Sequence, residues 1–156
     1  MKYIKNNKGF SLVEMIVAMI IIGIAMSMVI YNISIIFKTR VDTIADQYKT
    51  DIRNVKDSSI SSDGKTYSVL WEDTGTNFAY ILYSDSDIIK RVDLHPEIEV
   101  THDGGNVSGS RILFDSLDGK VIDDAMGLNG AGEYLFMNSS GDTSTVIIFK
   151  ETGRID

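Results

Sequence analysis

Glu14 is the one residue whose position demands a chemical reason. Between Lys8 and Lys38 it is the only charged side chain, and the 23 residues 15–37 carry no charge at all. An acid at the centre of a helix in lipid costs about 2.5 to 3.5 kcal/mol on insertion scales, so a carboxylate beside an apolar run marks a functional position by default. The chemistry open to it is pairing with a cation. A second group of acids, Asp115, Asp118, Asp123 and Asp124, gathers around Gly119. Oxygen ligands of that kind could hold calcium, although their spacing fits no EF-hand loop and acids at turns are commonly just solvated.

Catalytic constellations fail one after another. The chain has no cysteine, hence no thiol nucleophile, thiolate metal site or disulfide. His95 and His102 lie in a polar stretch with no second cluster of metal ligands near them. Gly105-Asn-Val-Ser108-Gly109 is one residue out from a nucleophile elbow, and Asn129-Gly-Ala-Gly132 lacks the third glycine and the strand-turn-helix setting of a dinucleotide loop. No enzyme and no resident cofactor are expected, calcium at the four aspartates being the one alternative left open.

The element that must position Glu14 is the apolar run behind it. At about 1.5 Å per residue, a helix over residues 15–37 would measure about 35 Å, enough for a hydrocarbon core of about 30 Å. Lys2, Lys5 and Lys8 precede it, which places the N-terminus in the cytoplasm, with Lys38 and Arg40 weakening the asymmetry. The competing assignment is a secretory signal peptide cut after the small-x-small pattern Ala25-Met26-Ser27. Three features oppose it: the run is longer than such a segment needs, it continues past the cut, and it carries an acid near its start.

Lys8-Gly9-Phe10-Ser11-Leu12-Val13-Glu14, a basic leader followed by Gly-Phe-Ser-Leu-aliphatic-Glu and then an apolar stretch, resembles the class III signal of type IV pilins and type II secretion pseudopilins. The resemblance implies that a prepilin peptidase cuts between Gly9 and Phe10 on the cytoplasmic side and N-methylates Phe10. It implies that Glu14 meets the N-terminal amine of a neighbouring subunit, and that Leu12, Val13 and the apolar residues after them form the core of a filament. Prepilin peptidase, an inner-membrane assembly platform and other pilin or pseudopilin subunits are the implied partners. The chain departs from many pilins in having no proline within the run; Gly23, Ser27, Asn32 and Ser34 are its weak helix formers.

Beyond Lys38 the helix turns amphipathic. Val41, Ile44, Ala45, Tyr48, Ile52 and Val55 recur at spacings of three and four, which puts them on one stripe, and the stretch from Ser58 to Gly64 should end it. From Gly64 the pattern changes to period two, with short strands expected over 67–72, 78–83, 88–94, 97–101, 111–116, 133–138 and 145–150. Asp73-Thr-Gly, Ser84-Asp-Ser-Asp, Asp103-Gly-Gly-Asn, Asp118-Gly119 and Asn138-Ser-Ser-Gly141 supply the turns. The aromatics Tyr67, Trp71, Phe78, Tyr80, Tyr83, Phe114, Tyr134, Phe136 and Phe149 fall mostly on alternating positions and are expected in the core. The chain is therefore read as α+β, a long N-terminal helix with a membrane half and an amphipathic half, packed on an antiparallel β-sheet or small β-sandwich. Its parts are a leader (1–9), a membrane and filament-core helix (10–37), an amphipathic half with its connection (38–63) and an antiparallel β domain (64–156).

The closing strands, Ile112-Leu-Phe114, Tyr134-Leu-Phe136 and Val146-Ile-Ile-Phe149 running into Thr152-Gly153-Arg154, are similar to those of the GspH/FimT-type minor pilins. Thr152-Gly153-Arg154 itself reads equally as a subunit contact or as a turn with a solvated arginine. The resulting expectation is a minor pilin or pseudopilin, a structural subunit held in the inner membrane before assembly and then in an extracytoplasmic or surface filament. A major pilin, or a DNA-binding component of a competence pilus, are the alternatives. DNA is disfavoured because residues 10–156 carry 12 Lys and Arg against 22 Asp and Glu, and DNA affinity rests largely on neutralising phosphates.

Overall fold

One long helix opens the structure: α1 spans Leu12–Ser61. It is followed by β1 (Tyr67–Asp73), β2 (Phe78–Ser84), β3 (Asp87–Asp93), β4 (Ile98–His102), β5 (Gly105–Asn106), β6 (Arg111–Phe114), β7 (Val121–Ile122), β8 (Gly132–Asn138) and β9 (Thr143–Ile148). This computed structural model describes residues 11–61, 64–122 and 130–156, and within α1 the side chains of 27–39 are left undescribed. The chain divides into two compact units, Met1–Ile36 and Phe37–Asp156.

The second unit is α+β, and its described strands pair antiparallel throughout. They make a five-stranded sheet of order β3-β2-β1-β6-β7 and a four-stranded sheet of order β5-β4-β8-β9. The stripe on the second half of α1 is buried against them: Val41, Ala45, Tyr48, Ile52 and Val55 are core residues, with Ile44 packed at their margin. Spacing of three and four is what brings these residues to one side of a helix.

Tyr48 joins the three layers. Its ring lies 5.0 Å from Trp71 on β1, 5.0 Å from Tyr80 on β2, 5.3 Å from Tyr134 and 5.5 Å from Phe136 on β8. The Trp71 indole N–H donates to the Tyr48 hydroxyl at 2.7 Å, so the polar handle of each ring is satisfied by the other. Burial holds the Tyr48, Tyr80 and Tyr134 hydroxyls well above the usual tyrosine range, the Asp51 carboxylate adding to the effect at Tyr80. Asp51 is the acid buried beneath the helix, and it accepts from the Tyr80 hydroxyl at 2.7 Å and from Lys90 at 2.6 and 2.8 Å. Both carboxylate oxygens are thereby matched, which a buried charge requires.

Several expectations need correction. Two strands were not foreseen, Gly105–Asn106 and Val121–Ile122, because two residues are too few to alternate. Ser68, a polar residue of β1, is buried, and Arg111 Nη2 donates to its hydroxyl at 3.1 Å. Ile88 and Ile89 belong to an apolar run yet stand exposed on β3, the edge of the five-stranded sheet, where the pairing register shifts between Leu82 and Tyr83. A bulge with Lys90 and Arg91 beside it is a device that discourages further strand pairing at an edge. Phe149 is not core: it keeps 37% of its surface, and the Arg154 guanidinium covers its ring at 4.2 Å.

That contact belongs to a closed C-terminal turn. Phe149 N–H donates to Arg154 O at 2.9 Å, Gly153 N–H to Phe149 O at 2.7 Å, and Arg154 pairs with Asp156 at 2.8 Å. The helix holds the turn through Lys56, which donates to the carbonyls of Thr152 and Gly153, and through Arg53, which donates to that of Ile155. Gly153 has φ of 56°, and a Cβ there would collide with the Gly119 carbonyl oxygen. Glycine is demanded twice over, by the left-handed backbone and by the close approach.

Candidate functional site

The first turn of α1 is built by residues 11–15. Ser11 stands outside the helix, and its carbonyl accepts the Met15 N–H at 3.2 Å, the first intrahelical bond. Its hydroxyl accepts the Glu14 N–H at 3.2 Å, while the Glu14 carboxylate reaches back to the Ser11 N–H at 3.5 Å. This reciprocal pair is a capping box, Ser11 as the cap and Glu14 three residues in, and it satisfies two of the donors that every helix start leaves open. A carboxylate in the first turn also meets the positive end of the helix dipole. The Ser-x-x-Glu spacing stands in the sequence, so Ser11 is a helix cap as well as a member of the Gly-Phe-Ser-Leu run.

Around this turn the helix shows apolar side chains on every side. Leu12 keeps 76% and Val13 68% of their surface, and every residue of 12–26 is exposed. A helix that is apolar all round requires a surrounding of lipid or of other helices. Among the described residues no helix is long and apolar enough to cross a membrane. The described part of the run, 12–26, rises only about 22 Å at about 1.5 Å per residue. Its continuation to Phe37, and Gly9 and Phe10, where cleavage is expected from the resemblance, lie outside the described residues or side chains.

Two of the four aspartates around Gly119, Asp115 and Asp118, lie among the described residues. Asp115 Oδ1 accepts the Leu117 N–H at 2.8 Å, and Asp118 accepts the Lys120 N–H at 3.0 Å and pairs with its ammonium at 2.7 Å. The Lys120 side chain holds the Asp118 carboxyl below its usual range. Both acids thus serve their own turn, while Asp123 and Asp124 lie outside the described residues. Among the described residues no group of three or more His, Asp or Glu side chains is arranged to hold a metal ion.

His102 sits between Ser110 Oγ, 3.0 Å from Nδ1, and the Ala131 carbonyl, 3.1 Å from Nε2, and stacks on Tyr134 at 4.5 Å. A serine beside a histidine is half of a nucleophilic pair, but the neighbouring backbone donors are spent. Gly109 N–H bonds Trp71 O and Ser110 N–H bonds Val107 O, so neither is left to stabilise an oxyanion. The Ser108 hydroxyl, from the near-elbow, accepts the Asp73 N–H at 3.3 Å. These polar groups tie loops together.

With this geometry in view, the comparison with known families is specific to one end of the chain. Residues 4–30 match the prokaryotic N-terminal methylation motif, the N-terminal signature of type IV pilin-like and pseudopilin precursors, which are membrane-anchored before they join a filament. The match encloses Gly9, Phe10, Ser11 and Glu14 and stops well short of the β domain. No curated protein and no solved structure matches the chain.

Proposed function

We propose that this chain is a minor pilin or pseudopilin, a non-catalytic structural subunit of a type IV pilus or type II secretion-like filament. Prepilin peptidase cuts it between Gly9 and Phe10 and methylates Phe10. The observation that carries the reading is the methylation motif over 4–30, which takes in the start of α1, where residues 12–26 are exposed on every side and Glu14 is the only acid. Such a surface calls for lipid before assembly and for neighbouring helices after it. In the filament Glu14 faces the Phe10 amine of another subunit, where a pair surrounded by apolar side chains is poorly screened.

The minor assignment rests on the likeness of the closing strands to GspH/FimT-type subunits and on the small, cysteine-free β domain. The internal accounting of Thr152-Gly153-Arg154 favours its being a structural turn over a subunit contact. DNA binding remains the weaker reading, since both members of the basic pair on β3 are engaged, Lys90 by Asp51 and Arg91 by Glu72 and Asp93, and the domain is strongly acidic.

The test compares the ratio of this subunit in sheared filaments to that in membranes for wild type and Glu14→Ala at equal expression. Leaving the partner amine buried without its carboxylate costs about 3 to 5 kcal/mol, so the ratio should collapse while insertion and cleavage persist. An unchanged ratio would remove Glu14 from the assembly mechanism.

A further inference from the structure

We propose that Ser11 is a positioning residue for Glu14 in filament assembly, an inference that rests on the reading above and adds a residue to it. The observation is the reciprocity of the first turn: the Ser11 hydroxyl accepts from the Glu14 N–H at 3.2 Å, and the Glu14 carboxylate accepts from the Ser11 N–H at 3.5 Å. A glutamate has three side-chain torsions, and on an exposed turn it would spread over many rotamers. Bonded back to Ser11, its carboxylate is turned toward the N-terminal end of the helix.

That end is where the cation of the proposed pair is made. Cleavage between Gly9 and Phe10 leaves the Phe10–Ser11 peptide intact, so the N–H that Glu14 accepts is the first peptide N–H of the mature chain. The box therefore survives processing, and in sequence it lies next to the new terminus. The Ser11 N–H is the longer and weaker of the two contacts, so the carboxylate can exchange it for a stronger charged donor without losing the hydroxyl cap on its own N–H. Ser11 sets the direction of Glu14, and the neighbouring amine supplies the energy.

The test is a double-mutant cycle in the full chain in its own host, with wild type, Ser11→Ala, Glu14→Ala and the double variant, plus Ser11→Thr. Two quantities are read: the fraction cut after Gly9, and the filament-to-membrane ratio of processed chain only, so that slower cutting does not enter it. Ser11→Ala removes the hydroxyl that caps the Glu14 N–H and leaves the residue-11 N–H in place; with the first turn no longer fixed beneath Glu14 the ratio should fall severalfold, and Ser11→Thr should restore it. In the Glu14→Ala background Ser11→Ala should lower the ratio much less than in the wild type, because the carboxylate that Ser11 positions is gone and only the cap on the residue-14 N–H is left to lose. A ratio unaffected by Ser11→Ala while Glu14→Ala lowers it, or an additive loss in the double variant, would overturn the role of Ser11 and leave that of Glu14 standing. A ratio unaffected by Glu14→Ala would overturn the filament reading and this inference together.

Discussion

The two ends of α1 use the same backbone for opposite ends of the solvent scale. In 40–61 one stripe is buried and the other positions carry Asp, Lys, Arg and Gln to water. In 12–26 no position is buried and every one but Ser11's neighbour Glu14 and the small residues is a large hydrophobe. A half-helix with one apolar stripe brings its own cover from the sheets of its chain, whereas one apolar on all sides must be covered by something outside the chain. The first kind of surface encodes a fold and the second an assembly.

The contrast breaks most sharply at Tyr48. Tyr48→Ala removes a ring that touches both sheets and leaves the Trp71 N–H without its acceptor, so a fragment beginning near Lys38 should lose about 3 to 5 kcal/mol in chemical denaturation. Tyr48→Phe keeps the ring and orphans only the indole N–H, which should cost about 1 to 3 kcal/mol. Equal losses from the two variants would mean that the hydrogen bond and not the packing joins the layers. The unmutated fragment should unfold cooperatively and sediment as a monomer, since the stripe finds its cover within residues 38–156.

Gly153→Ala comes next, because it meets both a positive φ and the Gly119 carbonyl. A loss above about 1 kcal/mol in the same denaturation experiment is expected, with Gly141→Ala, whose φ is also positive but whose surroundings are open, costing less. Alkaline pH gives a third probe. The buried hydroxyls of Tyr48, Tyr80 and Tyr134 have their pKa values raised by burial, while unfolded tyrosines ionise near about 10. Their contribution to stability is thus complete below about pH 10 and is lost as pH climbs from there toward the folded values. Tyrosinate absorbance of the buried set should appear together with unfolding; its appearance in folded protein near the ordinary value would contradict their burial. The smallest effect is expected in the first half of the helix: Ile20→Ala in the full chain should move domain unfolding by less than about 0.5 kcal/mol.

The helix stripe was legible because six residues at spacings of three and four leave one solution, and the α+β class was legible from the change to period two at Gly64. The division of the strands between two sheets was not. Period two says which side of a strand is apolar and is silent about which strands pair, so β6 beside β1 and β4 beside β8 could not be derived. The same limit explains Ser68 and Phe149: a polar residue on the outer face can be covered by a long neighbour such as Arg111, and an apolar one at the end of an edge strand has no layer above it. At the site, the lone acid was legible through its cost in lipid, and the Ser-x-x-Glu spacing that anchors it was equally visible but answers a different question, where a helix begins.

Processing separates this account most directly from its rivals, because every role proposed for Phe10 and Glu14 requires the cut that frees the Phe10 amine. The measurement is the N-terminus and intact mass of the chain isolated from membranes. The account predicts N-methylated Phe10 and a mass lower by roughly 1.1 kDa less one methyl group, as removal of the short leader requires. An N-terminus at Ser27 or Met28, or an uncut Met1, would contradict it.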